Sequence, residues 1–170
     1  MAWEYLKTEP FENRYKVVSE FLKDKIENPI VVDLNCGEPL FAKHIKWKEY
    51  HANDLFMPDN IEGLDFRQIP DSEVDIKSDL LVMFGCGAGE FTGQDMESKT
   101  ATDSFIRLAG HKPKYIVMES SPEWEKRYSY ISMVIKRLDK YKVVLDKTIV
   151  IPPGEHYHDT RRIIICKLIS

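Results

Sequence analysis

A β-branched pair, Val31-Val32, leads into an acidic residue, Asp33, and then into a short loop, Asn35-Cys36-Gly37, before apolar character returns at Leu40. The pattern predicts a strand, a tight loop and a helix over Leu40–Ile45. In open α/β sheets, ligands gather outside the carboxyl ends of the strands, at loops of this kind. Glycine in the first such loop lets a ligand approach backbone N–H groups. Asp33 and the Asn35–Gly37 turn are therefore the first candidates for a cofactor site. The loop has one glycine where a dinucleotide fingerprint asks for three, and Pro39 stands where another would be usual.

The same alternation continues along the chain. Phe11, Tyr15, Val18, Leu22 and Ile26 recur at three- and four-residue steps, predicting a leading helix over Phe11–Ile26, within residues 1–28. Strands are expected over Glu49–Asn53, near Leu64–Gln68, and over Asp79–Phe84, an unbroken apolar run of the kind that doubly covered parallel strands show. A helix within Asp95–Ala109 stops at Gly110, and a strand over Tyr115–Met118 closes on Glu119. Ser121 and Pro122 suit a helix start, as N-cap and first helical position. Its stripe is Trp124, Tyr128, Ile131, Ile135 and Leu138. Two closing strands, Lys142–Ile151 and Arg162–Leu168, flank a turn at Pro152-Pro153-Gly154. Strands alternating with helices and ending in two strands describe one domain over residues 1–170. The expected architecture is a three-layer α/β sandwich with a mostly parallel sheet and an antiparallel edge.

Composition narrows the function. At 170 residues, 43% hydrophobic and 31% charged, the chain suits one globular domain. No apolar run approaches the roughly 18 residues of a membrane span, and the N-terminus lacks a basic-then-apolar leader. A cytoplasmic protein without a membrane partner is the expectation. Cys36, Cys86 and Cys166 are odd in number and far apart, which argues against a disulfide framework or zinc ribbon. The net charge of −4 is uneven: residues 1–85 carry 10 basic and 17 acidic side chains, the remainder 14 and 11. That balance does not support autonomous nucleic-acid binding.

Residues just past the strand ends converge on one rim: Asp33, Cys36, Asp54, Asp65, Cys86 and Glu119. Asp54 closes the second strand, where a carboxylate can accept both hydroxyls of a ribose, or can be a solvated loop cap. Cys86 lies between Gly85 and Gly87; it reads either as a nucleophile with Glu119 as its acid, or as a small buried hydrophobe. Glu155-His156-Tyr157-His158-Asp159 offers too few ligands for a metal site and reads as an exposed polar loop. The Gly85–Gly89 run lacks the lysine and hydroxyl of a phosphate loop.

Read together, these segments resemble the catalytic core of the cytosine-5 methyltransferases, a Rossmann-like family that uses S-adenosylmethionine. Asp33-Leu34-Asn35-Cys36-Gly37 resembles their opening Asp-Leu-Phe-Cys-Gly loop, Ala52-Asn53-Asp54 their ribose-binding segment, and Leu64-Asp65-Phe66 their Gly-Asp-Ile. Asp79 to Cys86 is similar to their Asp-Leu-Leu…Gly-Phe-Pro-Cys, and Lys112–Glu119 to their Lys-Pro-Lys-Tyr-Phe-Val-Leu-Glu. Thr160–Ile165 is similar to their closing Gln-x-Arg-x-Arg strand. The resemblance implies Cys86 as nucleophile, Glu119 as acid and Arg162 as substrate orienter. It implies Asp33, Asn35, Cys36, Gly37, Asp54, Asp65 and Phe84 as cofactor contacts. The implied chemistry is addition of a thiolate to a pyrimidine, which in a duplex requires base flipping. The implied partner is a cytosine in DNA or RNA. With eight residues after Arg162, recognition is expected from a separate subunit. Departures are Asn35 for the aromatic of the first loop, Gly85 for a proline, Gly87 for a glutamine, and Ser120 for an asparagine. Two further readings stand beside this one: a methyltransferase acting by direct displacement on another substrate, and an inactive relative that binds a partner.

Overall fold

The computed structural model describes residues 9–59, 61–84, 95–120, 130–150 and 160–170. Seven strands form one sheet: β1 (Ile30–Asp33), β2 (Glu49–Asn53), β3 (Asp65–Arg67), β4 (Leu80–Met83), β5 (Tyr115–Ser120), β6 (Tyr141–Val150) and β7 (Thr160–Leu168). Their order is β3-β2-β1-β4-β5-β7-β6. The first five are mutually parallel, and β7 runs antiparallel to both β5 and β6. The expected antiparallel component is thus the β7–β6 pair at one edge. The sheet order reverses beside β1, whose neighbours are β2 and β4, which places the loop after Asp33 at the topological switch point.

Among the described residues three α-helices accompany the sheet: α1 (Glu9–Leu22), α2 (Asp95–Ala109) and α3 (Tyr130–Arg137). Because side chains alternate across a strand, each central strand feeds two apolar layers. Val32, Leu81, Met83, Ile116, Met118, Ile164 and Cys166 face Phe105 and Leu108 of α2 and Ile131 and Val134 of α3. Val31, Leu80, Val82, Val117, Ile163 and Ile165 face Tyr15, Val18 and Leu22 of α1, with Phe41 and Tyr50. Burial of β4 and β5 is continuous, which explains their unbroken apolar runs.

The helix expected over Leu40–Ile45 is instead a single 3-10 turn, Leu40–Lys43. Pro39 in front of it provides no side-chain cap, and the Ala42 carbonyl accepts a hydrogen bond from the Trp47 indole N–H at 3.1 Å. Another 3-10 turn, Asp71–Glu73, follows β3. The leading helix ends at Leu22, four residues before the predicted end, yet Ile26 N–H still bonds the Leu22 carbonyl. The expected helix start at Ser121-Pro122 and the turn at Pro152–Gly154 lie outside the described residues. No helix among the described residues is long and apolar enough to cross a membrane.

Candidate functional site

The loop after β1 is built on two left-handed residues, Asn35 at φ 51° and Gly37 at φ 57°. Glycine adopts this region without penalty, and asparagine is among the few other residues that tolerate it. The resulting curl points three successive amides at the end of β2. Asn35 N–H donates to Asn53 Oδ1 at 3.0 Å, Cys36 N–H to the Asn53 carbonyl at 2.9 Å, and Gly37 N–H to Asp54 Oδ2 at 2.8 Å. Asp54 Oδ1 accepts the Phe56 N–H at 3.0 Å. The Asp54 carboxylate therefore braces the loop with both oxygens. Leu55, Phe56 and Met57 follow it as a solvent-exposed apolar ledge.

Asp33 is the buried centre of this rim, 2% exposed. Its Oδ2 accepts the Tyr50 hydroxyl at 2.6 Å, while its Oδ1 is buried with no hydrogen-bond partner. Loss of hydration raises the carboxyl from its ordinary 3.8 to about 7, and the neighbouring Asp54 adds to the rise; the Tyr50 hydrogen bond and Arg14 oppose it. Burial and the adjoining Asp33 push the Tyr50 phenol well above its ordinary range. An orphaned carboxylate oxygen at the mouth of β1 calls for a cationic or N–H-bearing group.

A second group lies at the end of β5. Glu119 is fully buried, and Arg14 of α1 reaches both of its oxygens at 2.8 Å. Arg161 of β7 also approaches Glu119 Oε1, at 3.1 Å. Arg14 also donates to the Tyr15 hydroxyl at 2.7 Å and lies 4.7 Å over the Tyr15 ring and 5.9 Å from the centre of the Phe84 ring. Phe84 in turn meets Tyr15 edge-on at 4.9 Å and Phe41 at 5.2 Å.

The rim thus joins Asn35, Cys36, Gly37 and Asp54 in one hydrogen-bonded network through Asn53, with Asp33 close enough to feel the charges of Asp54 and Arg14, and with Phe84 and Glu119 joined to each other through Tyr15 and Arg14. Cys36 is buried, its thiol directed to the Gly37 carbonyl at 3.3 Å. Asp65 does not join. It stands at the start of β3, not past its end, and bonds His51 at 2.7 Å and Arg67 at 2.9 Å on an exposed face. Arg162 does not join either: it pairs with Asp146 of β6 at 2.6 Å. The β5–β7 register sets Ile163 opposite Glu119, so alternation gives Arg161, not Arg162, the face shared with Glu119. Cys86 lies outside the described residues. Among those residues, no group of three His, Cys, Asp or Glu side chains is placed to hold a metal ion.

Sequence reading missed Arg14, Tyr50 and Arg161. Arg14 was legible in principle, since it stands four residues before Val18 on the apolar stripe of α1, where a charge needs a buried partner. Arg161 was legible from parity with Ile163 and Ile165. Tyr50 carried no signal, because its role arises only from the β1–β2 pairing.

No protein-family model and no curated protein sequence matches the chain. Solved structures do. A Thermoplasma acidophilum protein superposes with a TM-score of 0.66 at 16% identity, over 98% of this chain and 94% of its own. An S-adenosylmethionine-dependent methyltransferase from Clostridium acetobutylicum matches with a TM-score of 0.65 at 11% identity, over 98% and 94%. The magnesium protoporphyrin IX methyltransferase of Synechocystis, with bound S-adenosylmethionine, matches with a TM-score of 0.64 at 12% identity, over 95% and 80%. At these identities the likeness is one of fold: the chain has the Rossmann-like fold of S-adenosylmethionine-dependent methyltransferases.

Proposed function

We propose that this chain binds S-adenosylmethionine at the carboxyl ends of β1 and β2 and transfers its methyl group by direct displacement. The observation that carries the reading is the Asp33 Oδ1 atom, buried and without a partner at the switch point of the sheet. A carboxylate there suits the positively charged end of such a cofactor, whose amino group offers the N–H donors that Oδ1 lacks. Bound at this rim, the cofactor supplies a methyl carbon made electrophilic by a sulfonium. The protein's own part is positional. Asn35 and Gly37 shape the loop, Asp54 holds it against β2, Tyr50 orients Asp33, and Phe84 offers an apolar wall. The solved structures that share the fold, one of them holding S-adenosylmethionine, support the same cofactor.

Direct displacement is favoured over cysteine addition by the state of Glu119. An acid that hydrogen-bonds a pyrimidine needs a carboxyl not already committed to a cation, and here Glu119 is engaged by Arg14 and by Arg161, the second of which stays on Oε1 even when Arg14 moves. Under the alternative, suggested by the ordered resemblance around Cys86, Glu119 and Arg162, the acceptor is a cytosine in DNA or RNA delivered by a separate recognition subunit.

Calorimetric titration with S-adenosylhomocysteine tests the cofactor reading. Saturable binding, weakened at least tenfold in Asp33→Ala, is expected; a flat titration of protein shown to be folded overturns it and leaves a partner-binding module. Methyl transfer retained in Cys86→Ser is the expected result for direct displacement, and its loss supports the cysteine reading.

A further inference from the structure

We infer that α1 is a lid over the carboxyl ends of β4 and β5, latched by Arg14 on Glu119. The inference rests on the cofactor reading only for where ligands enter. The side chains that line the rim are closed in this state: Asp33, Cys36, Phe84 and Glu119 are all buried. A ligand that touches them needs a protein segment to move, and the segment lying against several of them is α1. Tyr15 covers Phe84 edge-on, and Arg14 covers Glu119 with a two-pronged hydrogen bond.

The way α1 is attached suits it to move as a unit. Among the described side chains its core contact is Tyr15, Val18 and Leu22, with Val17 and Phe21 partly buried beside them, whereas α2 and α3 together bury Ala101, Phe105, Leu108, Ala109, Ile131 and Val134. Between α1 and β1 the chain passes through residues 23–29, a non-helical stretch ending in Asn28 at φ 41° and Pro29. Hinges are commonly a few element-terminal residues of this sort. The latch itself can open without stranding a charge. When Arg14 leaves, Glu119 keeps Arg161 at 3.1 Å, so the buried carboxylate stays paired. A three-membered cluster in which the central carboxylate has two cations is therefore built to release one of them.

Cysteine alkylation with iodoacetamide, read peptide by peptide, reports the lid. Cys36 shares the apolar cluster of Tyr15, Phe41 and Phe84 under α1, and Cys166 lies in the opposite layer with its thiol pushed up to about 11 by burial. Arg14→Ala and Arg14→Met are each expected to raise the rate at Cys36 at least tenfold with Cys166 unchanged. An unchanged Cys36 rate in both variants overturns the lid, and so does a parallel rise at Cys166, which reports unfolding of the whole domain. In the parent protein, amide hydrogen exchange is expected to be at least tenfold faster over residues 12–22 than over residues 101–109; equal rates overturn the inference without any substitution. The cofactor reading stands or falls separately, on the S-adenosylhomocysteine titration.

Discussion

Replacing Asp33 by asparagine separates what the buried carboxylate costs from what it does. In the folded chain the group titrates at about 7 and in a solvated chain near 3.8, because burial removes water from the charged form. A carboxyl raised on folding destabilises the native state as pH climbs: between the two values the folded form holds a proton that the unfolded form has released. At about 1.4 kcal/mol per pH unit, the charge costs about 2 kcal/mol at pH 5 and about 4 kcal/mol at pH 8, and nothing well below pH 4. Asparagine fills the same volume and can still accept the Tyr50 hydrogen bond without a charge. Asp33→Asn is therefore expected to be more stable than the parent by those amounts. Urea unfolding at pH 5 and pH 8 measures the gap. The same variant is expected to bind S-adenosylhomocysteine at least tenfold more weakly, a loss of about 1.4 kcal/mol or more. A buried charge that lowers stability while raising affinity is what a binding site shows when function opposes folding. A variant less stable than the parent at pH 8, or a gap that does not widen from pH 5 to pH 8, refutes the reasoning.

Other substitutions check the rest of the rim. Arg161→Ala removes one of two cations from Glu119 but leaves Arg14 on both oxygens, and is expected to cost about 1.5–3 kcal/mol in urea unfolding, whereas Arg162→Ala, at a partly exposed pair with Asp146, is expected to cost under about 1 kcal/mol. Equal costs would contradict the β5–β7 register. Glu119→Gln leaves two buried guanidiniums without their carboxylate, so a cost of about 3–5 kcal/mol is expected by the same assay. Asp54→Ala removes the acceptor for the Gly37 and Phe56 amides; destabilisation of about 1–3 kcal/mol and weaker S-adenosylhomocysteine binding are expected together, since the loop that forms the site is the part released.

Much of the architecture was written in local pattern. Alternating strands and helices determined the layered class; Val31–Asp33, Glu49–Asn53 and Leu80–Met83 fell where apolar runs met acidic or glycine residues, and Asp33 and Gly37 were marked as a ligand loop by the chemistry of a strand end. Where local pattern competed with tertiary demands it failed, as at Leu40–Lys43, where Pro39 and the Trp47 hydrogen bond left a single turn in place of a helix. The partners of the site residues were decided only by the fold. Whether Glu119 faces solvent or two arginines depends on α1, more than a hundred positions away, and on the parity of an antiparallel register. A sequence lists which side chains carry charge. Strand pairing decides which of them share a dry interior, and there electrostatics sets what each one can do.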